Sequence, residues 1–252
     1  MTTNNNRDFE RHGVYTPRSL NINYGTKNKP ETDKTETGGR FRFKNSLVIT
    51  PYYEIEFHAT GGIKYIKNHE GQVFFTNAGL FAVTNNIQKI PVLLKRGVNK
   101  QSAQKKLIVG EKYNYEEKYE IYKNIILYYE ENRIDFQISF NKSDLDTNDI
   151  TTEFSLNLSV PGIDDIITYK KYNAKEEYKS FLSDFSDGSD GSLEYLMVGC
   201  GKHGGSRMTV YPDKKLLTGS KNKILQFAAS NISSPQKNYI NLKIYLENYR
   251  IT

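Results

Sequence analysis

The chain contains no tryptophan, three methionines and one cysteine, Cys200, in 252 residues. A single thiol cannot close an internal bridge, so a disulfide-stapled secreted scaffold is excluded. Its four histidines and lone cysteine are scattered, with no spacing that would gather zinc ligands. Cys200 has only His203 as a nearby base and reads as an incidental thiol, not a nucleophile. No apolar run approaches the roughly 20 residues that a membrane-spanning helix needs. The opening Met1-Thr2-Thr3-Asn4-Asn5-Asn6 lacks the apolar stretch of a signal peptide. The expected compartment is therefore the cytoplasm, and the Asn-X-Ser matches at Asn141, Asn157 and Asn231 are read as chance. No metal or cofactor is expected.

What is abundant is tyrosine and phenylalanine. Apolar residues make up 37% of the chain, and 19 Tyr and 13 Phe bring the aromatic share to 13%. A disordered chain is poor in such residues, so most of this one should fold. The formal charge of +6, from 35 basic and 29 acidic residues, is a mild excess compatible with an acidic partner. The basic pairs Lys105-Lys106, Lys170-Lys171 and Lys214-Lys215 are short, so nucleic-acid binding is not expected.

Residues 1–40 read as an extended basic arm, with isolated aromatic anchors and no lasting periodicity. Nine basic residues face five acidic ones between positions 1 and 45, so most of the excess charge sits here. Arg7, Phe9, Arg11, Tyr15, Arg18 and Tyr24 are the candidates for contact with an acidic protein surface.

From Phe41 onward, short runs rich in Val, Ile, Tyr and Phe alternate with Gly and Asn, the pattern of strands joined by turns. Ile134, Phe136, Ile138 and Phe140 occupy every second position, which sends all four side chains to one face of a strand. Leu156, Leu158 and Val160 repeat the pattern, as do Ile240, Leu242, Ile244 and Leu246. Further strands are expected within 46–58, 72–76, 79–84, 90–95, 106–109 and 120–129. Helical signal is confined to 174–182, with a second short candidate at 143–149. The polar stretch 141–152 suggests a boundary between two β-rich domains, 41–150 and 151–252.

Gly199-Cys200-Gly201-Lys202-His203-Gly204 matches G-x-G-x-x-G. A dinucleotide site needs a helix next, so that its first amides meet the pyrophosphate. The continuation Met208-Thr209-Val210-Tyr211-Pro212 suits a strand closed by proline instead. Asp184 to Asp190 lacks the Asp-x-Asp-x-Asp-Gly register of a calcium loop and reads as a turn.

The stretch from Leu193 to Gly199, followed by Gly204-Gly205-Ser206-Arg207 and the Met208–Pro212 run, resembles the core of the FKBP family. There a short helix precedes a glycine turn, a basic residue, a strand and a proline turn. Pro212-Asp213 with Gly219 is similar to the family's Pro-to-Tyr-Gly corner, and Ser234-Pro235 with 239–247 to its last turn and strand. Gly162 to Tyr169 is similar to its Gly-Asp strand ending in Tyr. The resemblance covers about 160–252 and implies an α+β half-barrel whose pocket is walled by Tyr169, Leu193, Met197, Val210, Thr218 and Leu242. The family isomerises X-Pro bonds in a dry aromatic pocket. Leu193 stands where its Trp floor would be, Thr218 at its hydrogen-bonding Tyr, and Leu242 near a pocket Phe. Residues 41–150, with paired strands before this module, are similar in order to a PH/EVH1-like, WASP-homology domain preceding an FKBP domain. With most of the family's pocket aromatics missing at these positions, the resemblance is to a degenerate FKBP-type domain and implies a mainly β, non-catalytic binding or scaffold protein of a cytoskeletal or other large intracellular assembly, with an acidic filament such as actin or tubulin as partner. The alternative is an active peptidyl-prolyl isomerase.

Overall fold

The computed structural model describes residues 42–44, 46–101, 105–142, 152–161, 166–183, 185–186, 193–200, 206–213, 216–221, 223–229 and 238–248. The basic arm and the helix candidate at 143–149 lie outside them. The fold is mainly β: every regular element among the described residues is a strand, and all pair antiparallel in two sheets of nine.

Sheet A contains β1 (Arg42–Lys44), β2 (Leu47–Ile49), β3 (Tyr53–Phe57), β4 (Ile63–Asn68), β5 (Val73–Thr84) and β6 (Ile87–Lys89). It is completed by β11 (Thr152–Ser159), β16 (Leu216–Lys221) and β17 (Ile224–Ala229). Its order is β1-β2-β3-β4-β5-β11-β17-β16, with β6 folded back on β5. Sheet B holds β7 (Val92–Gln101), β8 (Lys106–Tyr115), β9 (Tyr119–Tyr128) and β10 (Arg133–Lys142). The others are β12 (Ile166–Lys171), β13 (Tyr178–Phe181), β14 (Leu193–Cys200), β15 (Ser206–Pro212) and β18 (Asn238–Asn248). These run β13-β12-β14-β15-β18-β10-β9-β8-β7.

The segments 41–150 and 151–252 interleave. β11 pairs with β5 in sheet A, and β18 pairs with β10 in sheet B, so both sheets draw strands from both segments. One apolar core lies between them and takes side chains from each sheet. The alternation read at 134–140 places Ile134, Phe136, Ile138 and Phe140 in that core, beside Ile240, Leu242, Ile244 and Leu246 of β18. Phe154 of sheet A stacks on Phe140 of sheet B at 4.6 Å and meets Tyr119 edge-on at 5.2 Å. Aromatic pairs of this geometry add to the area they bury, which helps fix how the sheets face one another.

The helix expected over 174–182 is absent. Tyr172-Asn173 form a turn, Ala174-Lys175-Glu176-Glu177 is an irregular bend, and β13 follows from Tyr178. Asn173 adopts a left-handed φ of 62°, and the Ala174 amide donates to the Lys171 carbonyl at 3.0 Å, which reverses the chain. Tyr178 then pairs with Tyr169 and stacks on it at 5.5 Å. Tertiary pairing thus overrides the helical preference of Lys and Glu. Residues 193–200 are likewise strand β14, where the resemblance implies a short helix.

The two-residue connection between β5 and β6 has both Asn85 and Asn86 in the left-handed region, at φ 51° and 63°. That is the geometry whose twist matches a hairpin, and asparagine tolerates it. From there the chain passes through Ile90 and buried Pro91 and enters β7, crossing from sheet A to sheet B.

Candidate binding edge and a buried charge cluster

Cross-strand register puts Arg96 of β7 opposite Glu111 of β8, and Glu111 opposite Lys123 of β9. All three occupy inward positions of alternating strands. Leu107, Val109, Tyr113 and Tyr115 flank Glu111 in the core, and Tyr119, Ile121, Ile125 and Leu127 flank Lys123. Glu111 and Lys123 have no solvent-exposed side-chain surface.

The carboxylate is saturated. It accepts from the Gly62 amide at 3.1 and 3.3 Å, from Arg96 Nε at 2.8 Å and from the Tyr113 hydroxyl. Lys123 Nζ lies 3.1 Å from Oε2, outside hydrogen-bond geometry, and 5.9 Å from the Tyr113 ring centroid. Burial pushes the Glu111 carboxyl up. The charges of Lys123 and Arg96, with the bonds from Tyr113 and Arg96, outweigh it and hold the group at about 2. Burial, and then the same carboxylate, push the Tyr113 hydroxyl well above its ordinary value.

Gly62 belongs to the β3–β4 turn of sheet A, so this cluster ties one sheet to the other. Its φ is +80°, and a Cβ there would sit 2.4 Å from the Ala78 carbonyl oxygen. The neighbouring Gly61, at φ +103°, leaves room for the Tyr113 ring in the same way. A carboxylate held ionised, with its acceptor sites occupied by the fold, is a structural pin and not a general base.

The outer face of sheet B carries a second lattice. Tyr195, Tyr211 and Tyr245 follow one another across β14, β15 and β18, with centroid distances of 5.9 and 5.7 Å. Arg133 lies over the Tyr128 ring at 3.9 Å and donates to Asp135 Oδ1 at 3.0 Å. Tyr128 donates to Asp135 Oδ2 at 2.7 Å; burial, then that bond, push its hydroxyl up to about 12. The Arg133 charge is thereby neutralised within the sheet.

The residues expected to wall a prolyl pocket are dispersed. Leu193, Val210 and Leu242 are buried between the sheets, where Val210 lies opposite Ile244, and Leu242 opposite Pro212, on β15 and β18. Met197 lies on the opposite face of β14 from buried Leu196 and Val198. Thr218 belongs to β16 in sheet A. Tyr169 packs against Tyr178 and, at 4.8 Å, against Phe185. The strand expected after the glycine-rich stretch is β15, closed by Pro212. Arg7, Phe9, Arg11, Tyr15, Arg18 and Tyr24 lie outside the described residues, as do Asp187 to Asp190. Among the described residues, no His, Cys, Asp and Glu side chains gather in a group that could hold a metal ion. No helix there is long and apolar enough to cross a membrane.

The most exposed apolar surface adjoins the charge cluster. Ile87, Ile90, Val92 and Leu94 are 59, 68, 65 and 56% exposed, and they lie within eight consecutive residues. Between Glu70 and Glu111 the sequence has no acidic residue, yet it contains Lys89, Lys95, Arg96, Lys100, Lys105 and Lys106. Lys89 pairs with Glu116, Arg96 with Glu111 and Lys105 with Glu130. Lys95 and Lys100 are exposed on β7 and lie in no ion pair among the described residues. The acid-free span was legible in the sequence as a charge asymmetry. The buried pair was legible too, as charges of opposite sign interrupting two apolar alternations.

No protein-family model and no curated protein matches the chain. Among solved structures, it is similar to a glycosyl hydrolase family 38 protein from Enterococcus faecalis, with a TM-score of 0.57 and 9% identity over 81% of this chain and 30% of that one. An α-mannosidase from Enterococcus faecalis V583 gives 0.58 and 9%, over 81% and 29%. The α-N-acetylgalactosaminidase NagBb from Bifidobacterium bifidum gives 0.57 and 6%, over 81% and 36%. At such identities the likeness is one of fold, and this chain spans about a third of the length of those proteins.

Proposed function

We propose that this chain is a non-catalytic binding module, a rigid β-sandwich that docks an acidic protein surface in a larger intracellular assembly. The observation that carries the reading is the cationic, apolar edge. Four exposed aliphatic side chains and two unneutralised lysines lie along one stretch of chain in which acidic residues are missing. Apolar area supplies affinity, and unpaired lysines at its border supply attraction over a Debye length of about 8–10 Å. Residues 1–40, with Arg7, Arg11 and Arg18, carry an excess of charge of the same sign. The charged groups nearest to one another are consumed in holding the sheets together, which suits a scaffold. Likeness of fold to glycoside hydrolases brings no glycosidase chemistry with it.

Co-sedimentation with filamentous actin and with microtubules, across stepped salt, tests the reading with acidic filaments as probes. Binding should fall steeply with salt and drop at least tenfold in Lys95→Glu/Lys100→Glu. Absence of binding, or binding indifferent to salt and to these lysines, overturns it.

A further inference from the structure

Among the described residues β7 is the outermost strand of sheet B: it pairs with β8 and with no other strand there. One row of its backbone N–H and C=O groups therefore faces away from the sheet. At ten residues the edge is long. A proline precedes its first residue, and the register slips between Leu93 and Lys95, which turns Leu94 outward at a bulge. The strand is graded along its length. Its first part, with Ile87 and Ile90 just before it, exposes Val92 and Leu94, and its later part exposes Lys95 and Lys100.

Charge decides what can pair with this edge. A second copy would bring the unpaired Lys95 and Lys100 of one strand up against those of another, and like charges opposed across strands are destabilising. The chain's own first 45 residues, with nine basic and five acidic, bring the same sign. An acidic partner brings the opposite one.

We infer that β7 accepts an extended segment of a partner protein as an added antiparallel strand, acidic in its first half and apolar in its second. Antiparallel addition places the acidic half along the Lys95–Lys100 stretch, where Lys95, opposite Lys112, and Lys100, opposite Leu107, border the edge from opposite faces, and the apolar half beside Val92 and Leu94. Main-chain hydrogen bonds supply affinity, and this grading supplies direction. The inference rests on the proposed binding function and names its mode.

The probe is a labelled peptide, acetyl-Glu-Glu-Thr-Glu-Val-Thr-Val-Thr-amide, with acidic side chains on both faces of the added strand, titrated into the full chain and followed by anisotropy and by hydrogen exchange. A second peptide carries N-methyl groups at alternate residues on the edge that would bond to β7. The expected results are amide protection confined to 92–101 and at least tenfold weaker binding of the methylated peptide. Equal binding of the two peptides, protection elsewhere, or no binding overturns strand addition. If the lysine-dependent filament binding survives that outcome, the broader reading stands without this mode. Two further outcomes also overturn the inference. Protection of β7 that grows with chain concentration, without peptide, assigns the edge to a second copy. Protection that disappears when residues 1–40 are removed assigns it to the arm.

Discussion

Lys123 Nζ stands 3.1 Å from Glu111 Oε2, on neighbouring strands of sheet B, with neither side chain reaching solvent. Desolvating two charges is expensive, and the cost is recovered only where every remaining valence is used. Here the carboxylate also takes the Gly62 amide, Arg96 and Tyr113, whereas the Lys123 ammonium has the ion pair and no hydrogen bond among the described residues, so the recovery is one-sided. Replacing Lys123 with Met leaves a buried carboxylate with one cation fewer and should cost about 3–5 kcal/mol. Glu111→Gln strands Lys123 and should cost a similar amount. The double variant should lose less than the sum of the two, because neither charge is then left alone. Urea unfolding of the three variants measures this directly.

Stability should fall in acid, with a sign fixed by the same carboxyl. Glu111 titrates near 4.5 when solvated and at about 2 when folded. Its contribution is therefore complete above pH 4.5 and lost as pH falls through that value toward 2. At 1.36 kcal/mol per pH unit the loss is roughly 3 kcal/mol. The acid limb of wild-type stability should be flattened in Glu111→Gln, measured by thermal melting between pH 6 and 2.

Two glycines with similar φ should respond differently to alanine. Gly62, at φ +80°, would drive a Cβ to 2.4 Å from a carbonyl oxygen. Gly71, at φ +84°, has no heavy atom within 4 Å of such a Cβ. Gly71→Ala should cost only the left-handed penalty, about 1–2 kcal/mol. Gly62→Ala should cost more, because the β3–β4 turn must shift and carry its amide away from Glu111.

Prolyl isomerisation should be unaffected by this chain. Leu193, Val210 and Leu242 are packed in the core, Thr218 is in the other sheet, and Tyr169 is engaged with Tyr178 and Phe185. The cis-trans exchange rate of a test X-Pro peptide should be the same with and without the protein. Acceleration that is lost in Tyr169→Ala would contradict this.

Much of the β architecture was legible because alternation has a direct physical meaning. Ile134 to Phe140 and Ile240 to Leu246 point to one face, and the structure pairs those two runs in register. What local pattern could not convey was which strands meet. β10 and β18 are about a hundred residues apart in sequence and adjacent in sheet B. The strand at Tyr178 was hidden for a related reason: Lys and Glu favour a helix locally, and only the partner Tyr169, brought by the hairpin, reverses that preference. Among the candidate site residues, the acid-free span from 71 to 110 could be seen in the sequence. That β7 is the edge strand among the described residues, so that Lys95 and Lys100 border its outer row of backbone groups, follows from the topology alone.

The most direct test is a charge exchange at that edge. The acidic peptide, and its counterpart with Lys in place of each Glu, are titrated against wild type and against Lys95→Glu/Lys100→Glu at low salt. Wild type should prefer the acidic peptide at least tenfold, and the variant should prefer the basic one. An identical preference in both proteins would show that these two lysines do not choose the partner.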